Sequence, residues 1–360
     1  MTIENQLSQI RDQIDAVDIE IQNLINQRAN LALEVGSIKK SSEDKSIFYR
    51  PEREAKILEN IIARNSGPLS NEQITAIFRS LLTACLTLQQ PIRVAFLGPA
   101  GTYSQAAVFK HFGIETKTVS AATIERVFRE AEADHADYGV VPIENSTTGI
   151  IHQTLDLLMD ASLSICGEII LPIHHQLLSQ ENSLTNIKKV YAHEQALMQC
   201  QHWLTANLLS ADIIPVSSNA MAAQMAAQEN QTAAIAGEMA AKEYQIPVLV
   251  ANIEDNPKNQ TRFLILGQQK VGQSGNDKTS FLISTPHSPG FLFDLLKPFA
   301  EHEINISLIE SRPYHHRNWA YLFFMDIEGH QDDTAVKQAL NDLTQKSIQI
   351  NILGSYPKGK

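Results

Sequence analysis

The sequence predicts a chain of three parts, which are all-α, then α/β, then α+β. Apolar residues within 5–39 recur in alternating steps of three and four, the pattern of one long amphipathic helix. Short apolar runs alternate with helical stretches from residue 92, which is typical of an α/β domain. From residue 279 the order is strand, helix, strand, strand, helix, strand, which is a ferredoxin-like βαββαβ arrangement. A chain of 360 residues with 43% hydrophobic content can bury more than one such core.

The composition argues against several classes of protein. The net charge is -11 and no basic block occurs, so a nucleic-acid-binding surface is not expected. The stretch "MTIENQLSQI" lacks the pattern of a signal peptide, and no apolar run approaches the length of a membrane span. Cys85, Cys166 and Cys200 are too widely spaced for a disulfide framework or a metal site. We therefore expect a soluble cytoplasmic protein without a bound metal.

Two interruptions divide the chain. Pro91 ends the helical part, where two further helices follow the first. The polar stretch "QQKVGQSGNDK", residues 268–278, has the composition of a linker. We predict domains at 1–91, 92–267 and 279–360.

The first helix carries a cation on its apolar side. The apolar stripe consists of Leu7, Ile10, Ile14, Val17, Ile21, Leu24, Leu31, Val35 and Ile38. Arg28 continues the same register, and either a structural salt bridge or a bound anion would account for it. Lys39 lies about three turns further on, near the same face. Arg11 is about 25 Å from Arg28 along the helix, too far for both to hold one small anion, so the spacing favours an intertwined dimer.

This segment resembles the all-helical chorismate mutase domain over residues 5–90. The resemblance rests on "LSQIRDQIDAVDIEIQNLINQRANLALEVGSIK", "FYRPERE" and "TACLTLQQ". It implies that the following residues contact the substrate: Arg11, Arg28, Lys39, Arg53, Glu54, Cys85 and Gln89. The implied reaction is a Claisen rearrangement, which needs bound carboxylates and donors to the ether oxygen but no nucleophile. Lys39 and Gln89 are the expected donors to that oxygen.

An apolar run in the second part ends abruptly in polar residues. "VVPIENSTTGI" presents Glu144, Asn145, Ser146, Thr147 and Thr148 in succession at the end of a predicted strand. Open α/β sheets bind ligands beyond the carboxyl ends of their strands, although the same residue types are also common in ordinary loops.

Two other stretches strengthen the interpretation as a site. "RVAFLGPAGTYS" runs from a strand through a turn to the predicted start of a helix at Thr102 and Ser104, which offers backbone amides to an anion. "NQTRFLIL" places Thr261 and Arg262 directly before a strand. A surface arginine before an edge strand remains the alternative for that pair.

Together these stretches resemble the prephenate dehydratase catalytic domain over residues 92–267. The resemblance implies two α/β lobes, similar to periplasmic binding proteins, with the site in the cleft. Thr261 is expected to hydrogen-bond the departing ring hydroxyl, either alone or as a relay from Glu144, and Arg262 to bind the pyruvyl carboxylate. Further residues expected to orient the substrate or line the cleft are Thr102, Tyr103, Ser104, Asn145, Ser146, Thr147 and Ser217. His193 is expected to be structural, because its neighbours depart from the family pattern.

The third part resembles the ACT regulatory domain. The resemblance rests on "SPGFLFDLL" and "LIESRPYHHRNWAYLFFMDIEG". It implies that phenylalanine binds between two such domains, at Pro289, Gly290, Phe291, Leu292, Asn305, Glu310, Ser311, Arg312 and Pro313. Phe291 replaces a common alanine, so we expect weakened inhibition; a domain that only dimerises is the alternative. His315 and His316 are expected to lie in a solvated loop.

The three resemblances together imply a bifunctional enzyme of phenylalanine biosynthesis. It would convert chorismate through prephenate to phenylpyruvate without a cofactor, as a homodimer or tetramer, under feedback inhibition by phenylalanine. A non-catalytic amino-acid sensor with a vestigial mutase is the rival interpretation. The cleft motifs do not discriminate prephenate from arogenate.

Overall fold

The structure is a computed structural model that describes residues 2–41, 47–286, 289–313, 320–345 and 349–359. His315, His316 and the side chain of Pro313 lie outside the described residues. The chain divides into two units, one of Met1–Arg50 with Lys56–Ile92 and one of Pro51–Ala55 with Arg93–Lys360. No helix within the described ranges is long and apolar enough to cross a membrane.

The helices and strands follow the chain in three groups. The first group is α1 (Ile3–Ser41), α2 (Pro51–Arg64) and α3 (Asn71–Gln89). The second group is β1 (Arg93–Leu97), α4 (Tyr103–Phe112), β2 (Lys117–Ala121), α5 (Ile124–Glu132), β3 (Tyr138–Asn145), β4 (Gly149–Ile150), α6 (His152–Asp160), β5 (Ser164–Pro172), β6 (Gln176–Leu178), β7 (Lys189–Ala192), α7 (Glu194–Gln199), α8 (Gln201–Asn207), β8 (Asp212–Pro215), α9 (Asn219–Gln228), β9 (Thr232–Ala236), α10 (Glu238–Glu243), β10 (Val248–Val250) and β11 (Gln260–Gly267). The third group is β12 (Asp277–Pro286), α11 (Phe291–Glu301), β13 (Ile306–Pro313), β14 (Ala320–Glu328), α12 (Thr334–Gln345) and β15 (Gln349–Pro357).

The first unit is helical, and α1 dominates it. A Cβ atom at position 36 would lie 3.1 Å from the Cα atom of Gln89, so Gly36 lets the backbones of α1 and α3 approach closely. Ser70 begins α3 with a capping box, in which its hydroxyl accepts the N–H of Gln73 and the Gln73 side chain accepts the N–H of Ser70. The apolar stripe of α1 lies on the surface of the chain, from 44% exposed at Val35 to 69% at Ile38.

The first sheet of the second unit has the strand order β2-β1-β3-β11-β5, with β4 on β3. β1 is parallel to β2 and β3, whereas β11 runs antiparallel between β3 and β5. β3 is buried over almost its whole length, which explains why its sequence is continuously apolar up to the polar end. The chain leaves this sheet after β5 and returns to it with β11.

A second sheet, with the order β10-β6-β9-β7-β8, is built between that departure and that return. Its packing uses small side chains: Ala222 and Ala223 of α9 and Ala233 and Ala234 of β9 are fully buried. The two sheets with their helices form two lobes, which confirms the expected two-lobed α/β arrangement.

The third sheet has the order β13-β14-β12-β15 and is antiparallel throughout, which confirms the predicted βαββαβ part. β15 packs on β5 of the first sheet so closely that a Cβ atom at Gly354 would lie 2.2 Å from the carbonyl oxygen of Ile165. The segment predicted as a linker is held in place where it enters β12. The Asp277 carboxylate accepts the Ser274 N–H at 2.8 Å and the Ser274 hydroxyl at 2.6 Å.

Candidate active site

A cavity of about 500 Å³ lies between the first two sheets of the second unit. Its polar lining residues are Thr102, Tyr103, Ser104, Asn145, Thr148, His175, His193, Gln195, Gln199, Ser217, Ser218, Asn219 and Thr261. The cavity therefore brings together these residues chosen from the sequence: Thr102, Tyr103, Ser104, Asn145, Ser217 and Thr261. They come from the start of α4 and the residue before it, the end of β3, the start of β11 and the loop before α9.

Thr261 and Arg262 lie on opposite faces of β11, because successive side chains of a strand alternate. Thr261 lines the cavity and is 8% exposed, and Phe263 lines it two residues later. Arg262 points away from the cavity towards the third sheet. Arg262 is not among the residues that line the cavity, where the predicted contact with a substrate carboxylate would require it.

Arg262 belongs to a buried ion cluster. Its Nε donates to Glu168 Oε2 at 2.6 Å, and its Nη1 lies 2.6 Å from Asp326 Oδ2. Lys278 Nζ also donates to Glu168 Oε2, at 2.8 Å, and Tyr356 Oη accepts from Arg262 Nη2 at 3.0 Å. Burial would raise the pKa of the Glu168 carboxyl, but the charges of Arg262 and Lys278 outweigh burial and hold that pKa below 4.5. The cluster joins β5 and β11 to the third sheet.

Glu144 also lies on the Arg262 face. It is paired in register with Arg262 across β3 and β11, and its Oε2 is 3.9 Å from Arg262 Nη1. Its side chain is 37% exposed and does not line the cavity. Glu144 and Thr261 therefore lie on opposite faces of the sheet, and the structure does not bring them together for the predicted relay.

Asn145 holds the polar end of β3 together. Its Oδ1 accepts the backbone N–H groups of Thr147 and Thr148 at 3.0 and 3.1 Å. Its Nδ2 donates to Thr261 Oγ1 at 2.9 Å and to Asn259 Oδ1 at 2.9 Å. Thr261 Oγ1 is thus an acceptor inside the protein. Within the described part of the chain its own proton has no acceptor, so that proton can point into the cavity.

Ser146 and Thr147 support this arrangement without lining the cavity. Their hydroxyl groups donate to Asn259 Oδ1 at 3.3 and 3.1 Å. The structure does not place Ser146 or Thr147, both predicted to orient the substrate, among the cavity-lining residues. Of the five polar residues, Asn145 and Thr148 form the cavity wall.

The hydrogen-bond chain continues to three residues that the sequence analysis did not select: Asn259, Gln199 and His175. Asn259 Nδ2 donates to Gln199 Oε1 at 3.0 Å, and His175 Nε2 lies 2.7 Å from the same oxygen. Because Gln199 Oε1 is an acceptor, His175 Nε2 carries a proton. Burial lowers the pKa of the His175 imidazole, which favours the neutral ring. Its Nδ1 lies 2.9 Å from the hydroxyl of Tyr103, which donates to the His174 carbonyl at 2.7 Å.

Few features of the sequence indicate that these three residues belong to the site. Gln199 lies in a stretch matched to the dehydratase family, and Asn259 is two residues before Thr261. His175 follows β5 beside His174, with no spacing pattern around it. His175 is identified by its place in the structure, because its side chain is only 2% exposed and contacts residues that are distant in the sequence.

The remaining cavity residues begin helices. The Thr102 hydroxyl donates to the Leu97 carbonyl at 3.0 Å and does not cap α4. His193 caps α7, since its Nδ1 accepts the N–H of Gln195 at 3.3 Å. The Ser217 hydroxyl lies 3.1 Å from Met221 Sδ, one turn into α9.

In the helical unit, the cationic residues predicted to bind the mutase substrate lie at different places along α1. Arg11 is exposed and Arg28 is half-buried, on one helix and about 25 Å apart along it. Lys39 donates to the Ile47 carbonyl at 2.8 Å and lies over the Phe48 ring. Gln89 is brought against α1 at Gly36, one turn before Lys39.

The other residues matched to the mutase family lie on α2 and α3. Cys85 is 4% exposed, and its carbonyl accepts from Gln89 Nε2 at 3.4 Å. In the first turn of α2, Arg53 is exposed and Glu54 half-buried.

Two residues matched to the regulatory family contact the dehydratase-like lobe. Arg312 Nη1 lies 2.9 Å from Asp156 Oδ1 and donates to the His152 carbonyl at 3.0 Å, both on α6. Glu310 Oε1 is 3.9 Å from His152 Nδ1. These side chains connect β13 to the helix that follows the cavity wall.

The other predicted regulatory residues lie at the start of α11 and along β13. Gly290 precedes α11 with a φ of +80°, and the ring of Phe291 stacks on Phe323 at 6.2 Å. Leu292 is 44% exposed, and Asn305 and Ser311 are exposed as well. Pro289 is exposed at the turn before Gly290.

Comparison with known proteins places this chain in a family. The chorismate mutase type II family matches residues 10–90, the prephenate dehydratase family residues 94–271 and the ACT domain family residues 279–345. Bifunctional chorismate mutase/prephenate dehydratases of Stutzerimonas stutzeri and Pseudomonas aeruginosa are 45% and 44% identical, each over 99% of both chains. The crystal structure of prephenate dehydratase from Arthrobacter aurescens in complex with L-Phe is 32% identical with a TM-score of 0.68, covering 74% of this chain and 90% of that chain. The chain therefore belongs to the bifunctional chorismate mutase/prephenate dehydratase family.

Proposed function

We propose that the cavity dehydrates and decarboxylates prephenate with Thr261 as the donor to the departing hydroxyl group. The observation that carries this proposal is the hydrogen bond from Asn145 Nδ2 to Thr261 Oγ1 at 2.9 Å. It turns the Thr261 proton towards the cavity, where it can polarise the C–O bond that breaks. The ring carboxylate leaves as carbon dioxide, its electron pair enters the ring, and the hydroxyl leaves as water once it has taken up a proton.

The electrostatics of the cavity support the decarboxylation step. The lining residues within the described part of the chain include no aspartate, glutamate, lysine or arginine. A cation paired with the ring carboxylate would stabilise the ground state and oppose its loss. A cavity lining without lysine or arginine leaves that carboxylate weakly paired.

We propose that the mutase reaction takes place in a homodimer. A tetramer formed by two such dimers would contain the same mutase sites. The exposed stripe on α1 is apolar except at Arg28, and burying such a stripe against a second copy is favourable. Each site would combine Arg28, Lys39 and Gln89 of one chain with Arg11 of the partner subunit, because α1 holds the two arginines apart. Arg53, Glu54 and Cys85 complete the proposed set.

We propose feedback inhibition by phenylalanine through the ACT domain. The Arthrobacter aurescens dehydratase has been crystallised with L-Phe, and the contacts of Glu310 and Arg312 with α6 connect β13 to the cavity wall. A cytoplasmic location remains a prediction from the sequence.

Chorismate turnover by the purified protein tests the proposal. Chorismate loss and phenylpyruvate formation are followed separately, with and without phenylalanine. We expect both signals in the wild-type protein, with suppression of the second by phenylalanine. Thr261→Ala should lower phenylpyruvate formation by about 100-fold or more and leave chorismate loss unchanged, while Thr261→Ser retains most activity because it keeps the hydroxyl. Accumulation of prephenate by the wild-type protein would favour the rival interpretation of the cleft as a sensor.

A further inference from the structure

The position of Arg262 raises the question of what binds the substrate's carboxylates. Prephenate, the proposed substrate, carries one carboxylate on the ring and one on the pyruvyl side chain. Arg262 points into the buried ion cluster, and the lining residues within the described ranges include no lysine or arginine. A carboxylate that binds in this cavity therefore has no lysine or arginine of this lining to pair with.

The N-terminus of α4 offers hydrogen-bond donors to such a group. The first intrahelical hydrogen bond runs from the Ala106 N–H to the Thr102 carbonyl at 3.0 Å, so the N–H groups of residues 103–105 have no partner within the helix. The Thr102 hydroxyl, which could have capped them, donates instead to the Leu97 carbonyl. The helix dipole adds a partial positive charge at this end, and α4 begins at the cavity wall.

Ser104 provides an independent indication of a ligand at this place. It lines the cavity, is 6% exposed, and its hydroxyl makes no hydrogen bond with any other residue that the structure describes. Buried hydroxyl groups are normally paired, because leaving one unpaired costs free energy. A hydroxyl directed into a cavity beside uncapped amides is satisfied when an anion binds there.

We propose that the first turn of α4 and the Ser104 hydroxyl bind the pyruvyl carboxylate, in place of Arg262. This inference rests on the proposed dehydratase function. The choice between the two carboxylates follows from the chemistry. A carboxylate held by helix amides is stabilised as an anion, which suits the group that remains in phenylpyruvate and would oppose loss of the group that leaves as carbon dioxide.

Calorimetric titration of the full-length Ser104→Ala protein tests this site without depending on turnover. The ligands are phenylpyruvate and phenylacetone, in which a methyl group replaces the carboxylate. We expect the substitution to weaken phenylpyruvate binding about tenfold, as for the loss of one hydrogen bond to a charged group, and to leave phenylacetone binding unchanged. Ser162→Ala is the matched control, because it removes a hydroxyl that donates to Glu132 Oε1 at 3.2 Å outside the cavity, and it should leave both affinities unchanged.

Equal weakening of both ligands, an unchanged affinity for phenylpyruvate, or a wild-type protein that does not bind phenylpyruvate would each overturn the proposed site. Chorismate loss by the mutase domain and the melting temperature confirm that the variants are folded. Failure of the dehydratase function would be seen separately, as absence of phenylpyruvate formation from prephenate.

Discussion

Two backbone N–H groups determine the direction of a hydrogen-bond chain that extends across the cavity. The backbone N–H groups of Thr147 and Thr148 can only donate, so the side-chain atom of Asn145 that faces them must be its oxygen. Each later partner is then fixed in turn, and the Nε2 proton of His175 marks the far end. The orientation of Thr261 is therefore set by the loop after β3.

His175 should make the stability of the protein depend on pH. Burial lowers its pKa below the ordinary 6.5, so between the two values the unfolded chain binds more protons than the folded one. The contribution of His175 is complete above about pH 6.5 and is lost as the pH falls. His175→Gln should flatten the dependence of unfolding free energy on pH between about 5 and 7, measured by urea denaturation.

His202→Gln is the control, since the His202 side chain is 92% exposed and should leave the slope as in the wild type. Identical slopes for wild type and His175→Gln would contradict the assignment of a neutral buried imidazole.

The residue types of the site were predictable from the sequence, but the direction of each side chain was not. The sequence indicates that both Thr261 and Arg262 are site residues, but the alternation of side chains along a strand puts them on opposite faces of β11. The sequence alone does not indicate which of the two faces the cavity. Arg262 is held on the far face by Glu168 and Asp326, which are distant from it in sequence.

At the scale of elements, α1 follows the prediction most closely. The steps of three and four over 5–39 predicted one helix, and α1 runs from Ile3 to Ser41. The same pattern predicted the apolar stripe that the structure exposes. Periodicity succeeds here because a long helix is determined by local contacts.

Leu24→Glu should disrupt the proposed dimer. Leu24 is 63% exposed in the middle of the stripe, and a carboxylate there would be buried between two apolar helices. We expect a lower mass in sedimentation equilibrium and a fall of at least about tenfold in chorismate mutase activity, with dehydratase activity largely retained. Asn23→Glu introduces the same charge beside the stripe and should retain the wild-type mass. A Leu24→Glu protein with unchanged mass would argue against association through this face.

The place of β11 in the first sheet could not be predicted from periodicity. Its sequence identified it as a strand, yet it pairs with β3 and β5, from which a whole second lobe separates it along the chain. Such pairings depend on packing between distant segments, which no local pattern records. The family resemblance supplied the two-lobed expectation that the local pattern lacked.

For the molecule as a whole, the proposed inhibition by phenylalanine would act through the third sheet. Phe291 occupies the start of α11, where its ring stacks on Phe323 and packs against the core of this domain. A ring in place of a methyl group leaves less room for a ligand.

We therefore expect phenylalanine inhibition of the dehydratase to be weak, with half-inhibition well above low micromolar concentrations in a rate titration. D-phenylalanine serves as the control for non-specific effects, and half-inhibition by L-phenylalanine at low micromolar concentration would contradict the prediction.

The buried ion cluster limits how freely these domains can be recombined in evolution or by engineering. A chain cut after residue 267 keeps Glu168 and Arg262 but loses Lys278 and Asp326, which lie on the third sheet. The Glu168–Arg262 pair survives the cut, but each of its members loses a second partner of opposite charge, and a buried ion pair depends on such additional contacts. A transplanted regulatory domain would have to bring its own carboxylate and ammonium group to the same places. In this protein two ion pairs, Glu168 with Lys278 and Arg262 with Asp326, join the dehydratase lobe to the third sheet, and both would be lost if the two parts were separated.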